Sequence, residues 1–187
     1  MALTKTDSVS ETEYRRLALA NTRLELHRGQ LREKPDMSVE HNDVMMQLLS
    51  ELHRQLDRDE YRLRGGIGRL QRSADTYYIP DVAVIPAVLT QALRQRPGSL
   101  DAYSDPLPLV VEIWSPSTGN YDINEKVRDY QKRGDLEIWR IHPYERTLTS
   151  WRRQPDGEYS EIDYRAGLVQ PESLPGVVID LDTLFTP

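Results

Sequence analysis

The sequence contains no cysteine, and no part of it approaches 18 consecutive apolar residues. Without cysteine, the protein can build neither a disulfide framework nor a thiolate zinc site. Without a long apolar run, no segment is expected to span a membrane. The first residues also lack the apolar core of a signal peptide. We therefore expect a cytoplasmic protein with no membrane association.

Positive charge is scarce as well, because 24 basic residues face 30 acidic ones and the net charge is −6. This balance argues against a general nucleic-acid coat protein. Local charge is different, since no acidic residue occurs between Tyr61 and Ala74. That stretch carries four arginines: Arg62, Arg64, Arg69 and Arg72. They are either solvated strand residues or a rim that contacts nucleic-acid phosphates.

The length of 187 residues suits one domain. We predict disorder over residues 1–9 and a single domain over residues 10–187. Ser10 and Glu13 form a capping box for a first short helix, and a hairpin turning near Gly29 follows it. The longest predicted helix begins after Ser38. His41 lies near its start on the apolar face, where it is either a packing or capping histidine or a site residue.

One buried strand carries a charge that needs a partner. Leu109, Val110, Val111 and Ile113 form an apolar run typical of a strand buried on both faces. Glu112 interrupts this run. A lone carboxylate in such a strand is costly unless a cation, a metal or a hydrogen bond neutralises it.

The helix that follows supplies a candidate partner. We predict that it begins near Asp122, which with Glu125 resembles a capping box. Ile123, Val127 and Tyr130 mark its buried stripe. Lys126, one of only four lysines in the chain, lies on the same stripe and is expected to face inward, over Glu112.

A second carboxylate, Asp81, opens the preceding core strand. If the two strands are antiparallel neighbours, Asp81 and Glu112 lie at the same end of the sheet. Two carboxylates with waters and a substrate phosphate make a plausible Mg²⁺ site. A nearby lysine can orient or deprotonate the attacking water, or offset charge in the transition state. We therefore predict that Asp81 and Glu112 bind the metal and that Lys126 is catalytic.

Several short motifs together resemble one protein family. They are Pro80-Asp81, the run Val111 to Thr118 (VEIWSPST), Asp122 with Lys126, Tyr130, Glu25 with Gly29, and His41. This pattern, which extends from about residue 20 to 185, resembles the bacterial Uma-type family, formerly a domain of unknown function. The family is placed in the PD-(D/E)XK nuclease superfamily of restriction-endonuclease-like proteins.

The resemblance implies an α/β (α+β) fold with α-β-β-β-α-β order, in which helices flank a mixed sheet. The strand pattern adds a C-terminal β-meander. The resemblance further implies a Mg²⁺-dependent phosphodiesterase, in which Mn²⁺ is expected to substitute. One departure stands out, because the superfamily motif has lysine two residues after the glutamate, where this chain has Trp114. The lysine is instead expected at Lys126.

Further site residues are predicted in supporting roles. Glu25 is either an additional carboxylate or a surface residue of the hairpin, His41 stands behind the metal ligands, and Asp122 is a helix cap more than a ligand. We expect a DNA endonuclease that acts as a homodimer, because cutting both strands requires two sites. Two alternatives stay open: a nuclease-fold module that binds DNA or protein without turnover, and a phosphoesterase acting on RNA or nucleotides.

Overall fold

The computed structural model describes residues 8–96, 98–116 and 119–186, and for residues 119–123 it describes the backbone only. Most of the segment predicted to be disordered, residues 1–7, lies outside these ranges. The Val9 N–H donates to the Gly29 carbonyl over 2.9 Å, next to the first hairpin. Disorder over residues 1–9 stays a prediction.

The helices separate the strands into groups. They are α1 (Glu11–Ala20), α2 (Val39–Gln55), α3 (Ala87–Gln91), α4 (Gly119–Arg133) and α5 (Leu181–Leu184). Ser10 and Ser38 cap α1 and α2 as predicted, each accepting a hydrogen bond from the backbone N–H three residues later. No helix in the described part of the chain is long and apolar enough to cross a membrane.

The strands are all short. They are β1 (Leu24–His27), β2 (Gln30–Glu33), β3 (Tyr61–Gly65), β4 (Arg69–Ser73), β5 (Thr76–Tyr78), β6 (Val82–Pro86), β7 (Ala102–Tyr103), β8 (Leu109–Ile113), β9 (Glu137–His142), β10 (Thr147–Arg153), β11 (Tyr159–Tyr164), β12 (Leu168–Val169) and β13 (Ile179–Asp180).

A six-stranded mixed sheet forms the centre, in the order β11-β10-β9-β8-β6-β3. Its one parallel pair is β8 with β9, and α4 provides the crossover that such a pair requires. The predicted C-terminal meander is confirmed as β9, β10 and β11, which extend this sheet. α2 packs on one face of the sheet through Leu48 and Leu52. α4 packs on the other face through Val127 and Tyr130.

A second sheet was not anticipated from the sequence. It contains five strands in the order β2-β1-β5-β4-β7. The stretch 61–70 was predicted to be a strand pair or one bulged strand, but β3 and β4 belong to different sheets. The chain returns to the central sheet between Tyr78 and Val82. Asp81 therefore lies where the chain passes from one sheet to the other.

The helix that carries Lys126 begins earlier than predicted. α4 starts at Gly119, so Asp122 lies within the helix and is not its N-cap residue. The side chain of Asp122 lies outside the described part of the structure, and its role as a ligand stays a prediction. The predicted end of the helix is confirmed, because α4 stops at Arg133 and Gly134 adopts a φ of +83° that suits glycine.

Candidate active site

A cleft at the junction of the two sheets collects the predicted site residues. Its polar lining includes Glu25, Lys34, Asp81, Glu112 and Lys126. The predicted convergence of Asp81, Glu112 and Lys126 in one cleft is confirmed. Glu25 is buried and reaches the cleft from β1, so the alternative of a surface hairpin residue is wrong.

Asp81 stands beside Glu112 because β6 and β8 are antiparallel. The pair Val82 and Val111 fixes the register, and the same register places Asp81 opposite Glu112. Asp81 comes directly before β6, and its side chain takes the place of a backbone partner for β8. Its Oδ2 accepts a hydrogen bond from the Ile113 N–H over 2.7 Å. A backbone amide of β8 therefore orients this carboxylate.

Two basic side chains flank the Asp81 carboxylate. The Lys34 ammonium donates to Oδ1 over 2.7 Å, and Nε2 of the buried His41 lies 3.0 Å from Oδ2. Burial by itself raises the pKa of Asp81, but Lys34 and His41 outweigh burial and hold the pKa below its usual range. Asp81 is thus ionised at neutral pH.

Glu112 has the opposite electrostatic balance. Burial raises its pKa to about 7, Lys126 opposes the rise, and the charge of Asp81 adds to it. The Tyr130 hydroxyl donates to Oε1 of Glu112 over 2.6 Å. Burial and the neighbouring Glu112 keep the pKa of Tyr130 well above its usual value, so the phenol remains a donor. The described residues place no hydrogen bond on the second oxygen, Oε2.

Lys126 faces inward from α4, as predicted, and contacts two carboxylates. Its Nζ lies 3.0 Å from Oε1 of Glu25 and 3.6 Å from Oε1 of Glu112. The same Glu25 oxygen accepts the Ile79 N–H over 2.7 Å. Glu25 therefore fixes both the lysine and the backbone two residues before Asp81.

Lys34 is the site residue that the sequence prediction missed. It follows β2 and donates to the Ile79 carbonyl over 2.9 Å as well as to Asp81. The rarity of lysine in the sequence was a usable signal. The chain has four lysines, and two of them, Lys34 and Lys126, line this cleft. No helical or strand periodicity marks Lys34 as inward-facing, because its orientation depends on how the hairpin packs against residues 79–81.

Comparison with known proteins agrees with this arrangement. The model of the Uma2 family, described as "Putative restriction endonuclease", matches residues 12–182. The chain belongs to the Uma2 family. A crystal structure of a putative nuclease belonging to DUF820 from Anabaena variabilis has the same fold, with a TM-score of 0.75 and 20% identity over 95% of this chain and 97% of that chain. No curated protein matches the chain.

Membership of the Uma2 family, together with this restriction-endonuclease-like fold, supports a nuclease. The carboxylates of this Uma2 chain also fit a hard divalent cation. Asp81 and Glu112 oppose each other, and Glu112 keeps one oxygen without a hydrogen bond among the described residues. Burial raises the pKa of Glu112 to about 7 because it disfavours the charged form, and a bound cation would offset this effect. Within the described ranges, no three His, Asp or Glu side chains are arranged to hold a metal by protein ligands alone. Magnesium does not require this, because it commonly keeps several waters beside one or two carboxylates.

The arginine-rich stretch of this Uma2 chain is not one phosphate-binding rim. Arg69 is buried and donates to the carbonyls of Ala18, Asn21 and Thr22. It therefore holds the end of α1 and cannot contact nucleic acid, which corrects the prediction for this residue.

The other three arginines also have protein partners. Arg64 pairs with Asp101 over 2.6 Å, Arg72 lies 3.9 Å from Asp129, and Arg62 donates to the Tyr61 carbonyl. Arg62 and Arg64 lie on β3 of the central sheet, whereas Arg69 and Arg72 lie on β4 of the other sheet. Phosphate contact by Arg62, Arg64 and Arg72 stays a prediction.

Proposed function

We propose that the protein is a Mg²⁺-dependent endonuclease that hydrolyses phosphodiester bonds of DNA. The observation that carries the proposal is the cleft itself, in which opposed carboxylates Asp81 and Glu112 meet the buried lysine Lys126 in a protein of the Uma2 family. Asp81 and Glu112 would hold the cation. Magnesium bound there would supply a Lewis acid for a phosphoryl oxygen.

The other side chains of the cleft have separate roles in the proposed reaction. Lys126 is held beside two carboxylates, so its ammonium can offset the charge that develops on the phosphoryl oxygens. Glu25 positions Lys126, and Tyr130 positions Glu112. His41 and Lys34 fix the Asp81 carboxylate from two sides. Each of these side chains is buried, and together they come from several separate elements of the fold.

The test is a cleavage assay on supercoiled plasmid, with Mg²⁺, Mn²⁺ or EDTA, for the wild type and for Glu112→Gln. We expect divalent-dependent nicking by the wild type and none by the variant. Linear single-stranded DNA and RNA of the same sequence extend the assay and separate DNA cleavage from the RNA alternative. Metal-independent nicking, or equal nicking by the variant, would contradict the proposal.

A binding module without turnover is the second candidate. It is favoured by one observation, namely that the Lys34 ammonium and the Ile113 N–H already donate hydrogen bonds to the two oxygens of Asp81. Calorimetric titration with Mn²⁺ distinguishes the two candidates, since a pure binding module needs no cation at Asp81 and Glu112. The cytoplasmic location and the homodimer expected from the sequence remain predictions.

A further inference from the structure

Three aromatic side chains cluster at the end of the central sheet, next to the cleft. Trp114 and His142 stack, with ring centroids 4.3 Å apart and an interplanar angle of 18°. Tyr144 meets Trp114 edge to face, with centroids 5.6 Å apart at 88°. We refer to Trp114, His142 and Tyr144 as the aromatic platform.

The platform continues the row of side chains that carries Glu112. Trp114 is two residues beyond Glu112. The backbone N–H of Trp114 donates to the Ile141 carbonyl over 2.8 Å, which prolongs the parallel ladder of β8 and β9. Alternate residues of a strand share a face at a rise of roughly 3.3 Å per residue, so the indole lies roughly 7 Å along the strand from the carboxylate. A nucleotide whose phosphate enters the cleft can therefore reach the platform with its base.

The platform is open to solvent mainly at Tyr144, whereas Trp114 packs partly against the core. Tyr144 is 48% exposed, and Trp114 is partly exposed, whereas Trp139 and Trp151 are buried. The Tyr144 hydroxyl donates to Glu40 over 2.8 Å and lies 3.1 Å from Oγ of Ser38. This contact ties the platform to the start of α2, the helix whose His41 contacts Asp81.

The cleft and the platform differ in their charged neighbours. The cleft combines the cations Lys34 and Lys126 with carboxylates, whereas the charged groups beside the aromatic rings include the carboxylates of Glu40 and Glu145. Carboxylates accept hydrogen bonds from the amino groups of bases. The two lysines thus suit a backbone phosphate in the cleft, and the carboxylates beside the rings suit a base on the platform.

We propose that the aromatic platform stacks an unpaired nucleobase of the strand whose phosphate occupies the cleft. A base inside a duplex already stacks on its neighbours, so only an unpaired or extruded base offers a free face. The substrate class that follows is single-stranded DNA, or a duplex with an unpaired nucleotide. The inference rests on the proposed function for the phosphate position but does not require turnover.

The experiment measures equilibrium binding in EDTA, where no metal-dependent cleavage occurs. Three probes are compared: a short single-stranded DNA, an abasic oligonucleotide of the same length, and a blunt duplex. The abasic strand keeps the phosphates and removes the bases. Fluorescence anisotropy gives the dissociation constants, and quenching of tryptophan fluorescence reports stacking on Trp114, since the other two tryptophans are buried.

We expect the single strand to bind more tightly than the abasic strand and the duplex, and to quench the tryptophan emission. Trp114→Leu should weaken binding of the single strand roughly 5- to 150-fold, the range for loss of one stacked base, and leave binding of the abasic strand unchanged. Equal dissociation constants for the single and abasic strands would overturn the inference.

A second variant guards against misfolding of the half-buried Trp114 position. Tyr144→Leu removes an exposed ring and should also weaken binding of the single strand, whereas Tyr144→Phe keeps the ring, loses only the hydroxyl contacts and should bind normally. Normal binding by both Tyr144→Leu and Trp114→Leu would overturn the inference. Plasmid cleavage that persists in that case would leave the nuclease proposal standing. Base-dependent binding without any cleavage would overturn the nuclease proposal alone.

Discussion

Lys126 and Glu25 are 101 residues apart in the chain, yet Nζ of the lysine lies 3.0 Å from Oε1 of the glutamate. Glu112, on β8, is farther from the lysine at 3.6 Å. The lysine is therefore shared between the two sheets: Glu25 belongs to β1 of the five-stranded sheet and Glu112 to β8 of the central sheet. Loss of this one side chain affects both.

Lys126→Met is expected to remove turnover and to destabilise the metal-free protein. A charge-stabilising or acid–base group typically contributes about 10²–10⁴-fold in rate. Removal of one partner of a buried ion pair costs roughly 3–5 kcal/mol of unfolding free energy. Plasmid cleavage and urea unfolding of the same preparation measure both effects.

Lys132→Met is the matched control for that experiment, because Lys132 lies on the same helix with a side chain that is 59% exposed. It should retain both cleavage and stability. Cleavage that survives in Lys126→Met would contradict a catalytic lysine, and a loss of stability alone would assign Lys126 a structural role.

Glu112→Gln is expected to abolish Mn²⁺ binding and to change how stability depends on pH. The folded-state pKa of Glu112 is about 7, whereas an unfolded glutamate titrates near about 4.3. The folded state therefore binds more protons in this window, and this group makes the wild type less stable as the pH rises through it. By this account, the variant should be more stable than the wild type by about 3 kcal/mol above pH ~7.

Denaturant unfolding at a series of pH values, combined with calorimetric Mn²⁺ titration, checks both parts of this prediction. The stability difference should disappear at the acid end of the series. Parallel pH profiles for the two proteins would show that Glu112 does not carry the predicted charge imbalance, and an unchanged Mn²⁺ affinity would make Glu112 a purely structural residue.

Lys34→Met is expected to leave the buried charge of Asp81 without its lysine partner. The folded-state pKa of Asp81 is held below its usual range by Lys34 and His41, so its ion pairs stabilise the fold above the unfolded value of about 3.9 and lose this effect as the pH falls. The variant should lose roughly 3–5 kcal/mol at neutral pH and much less in acid.

The effect of Mn²⁺ on the melting temperature tests the same variant independently. Without the lysine, Oδ1 of Asp81 is free to accept a cation, so Mn²⁺ should raise the melting temperature of Lys34→Met more than that of the wild type. Identical Mn²⁺ shifts in the two proteins would argue that Lys34 and the metal do not share Asp81.

Arg69→Met should be among the most damaging arginine substitutions in the stretch 61–74, although it touches no part of the cleft. The guanidinium donates to four carbonyls and to the Tyr14 hydroxyl, and its loss should cost at least about 3 kcal/mol of unfolding free energy. Arg62→Met is the control and should stay within about 0.5 kcal/mol of the wild type. Urea unfolding of both variants tests this difference; equal stabilities would contradict it.

Much of the fold followed from the local pattern of residues. The capping residues Ser10 and Ser38, the helix stop at Gly134 and the meander after α4 were all predicted, because caps, turns and hydrophobic periodicity act within a few residues. The inward orientation of Lys126 followed in the same way from helical spacing. Periodicity reports which face of an element is buried, and that is a local property.

The sequence by itself determined the identity of the chemical groups and the order of the elements that carry them. Only the tertiary structure decided that most strands divide between a six-stranded and a five-stranded sheet, that residues 79–81 cross between these two sheets, and that Glu25 and Lys34 reach the crossing from the first hairpin. The physical reason is that pairing between β1 and β5, and packing of a hairpin against a distant strand, depend on the whole arrangement of the core. No short-range pattern around Glu25 or Lys34 records which of its possible partners the folded chain will bring within 3 Å.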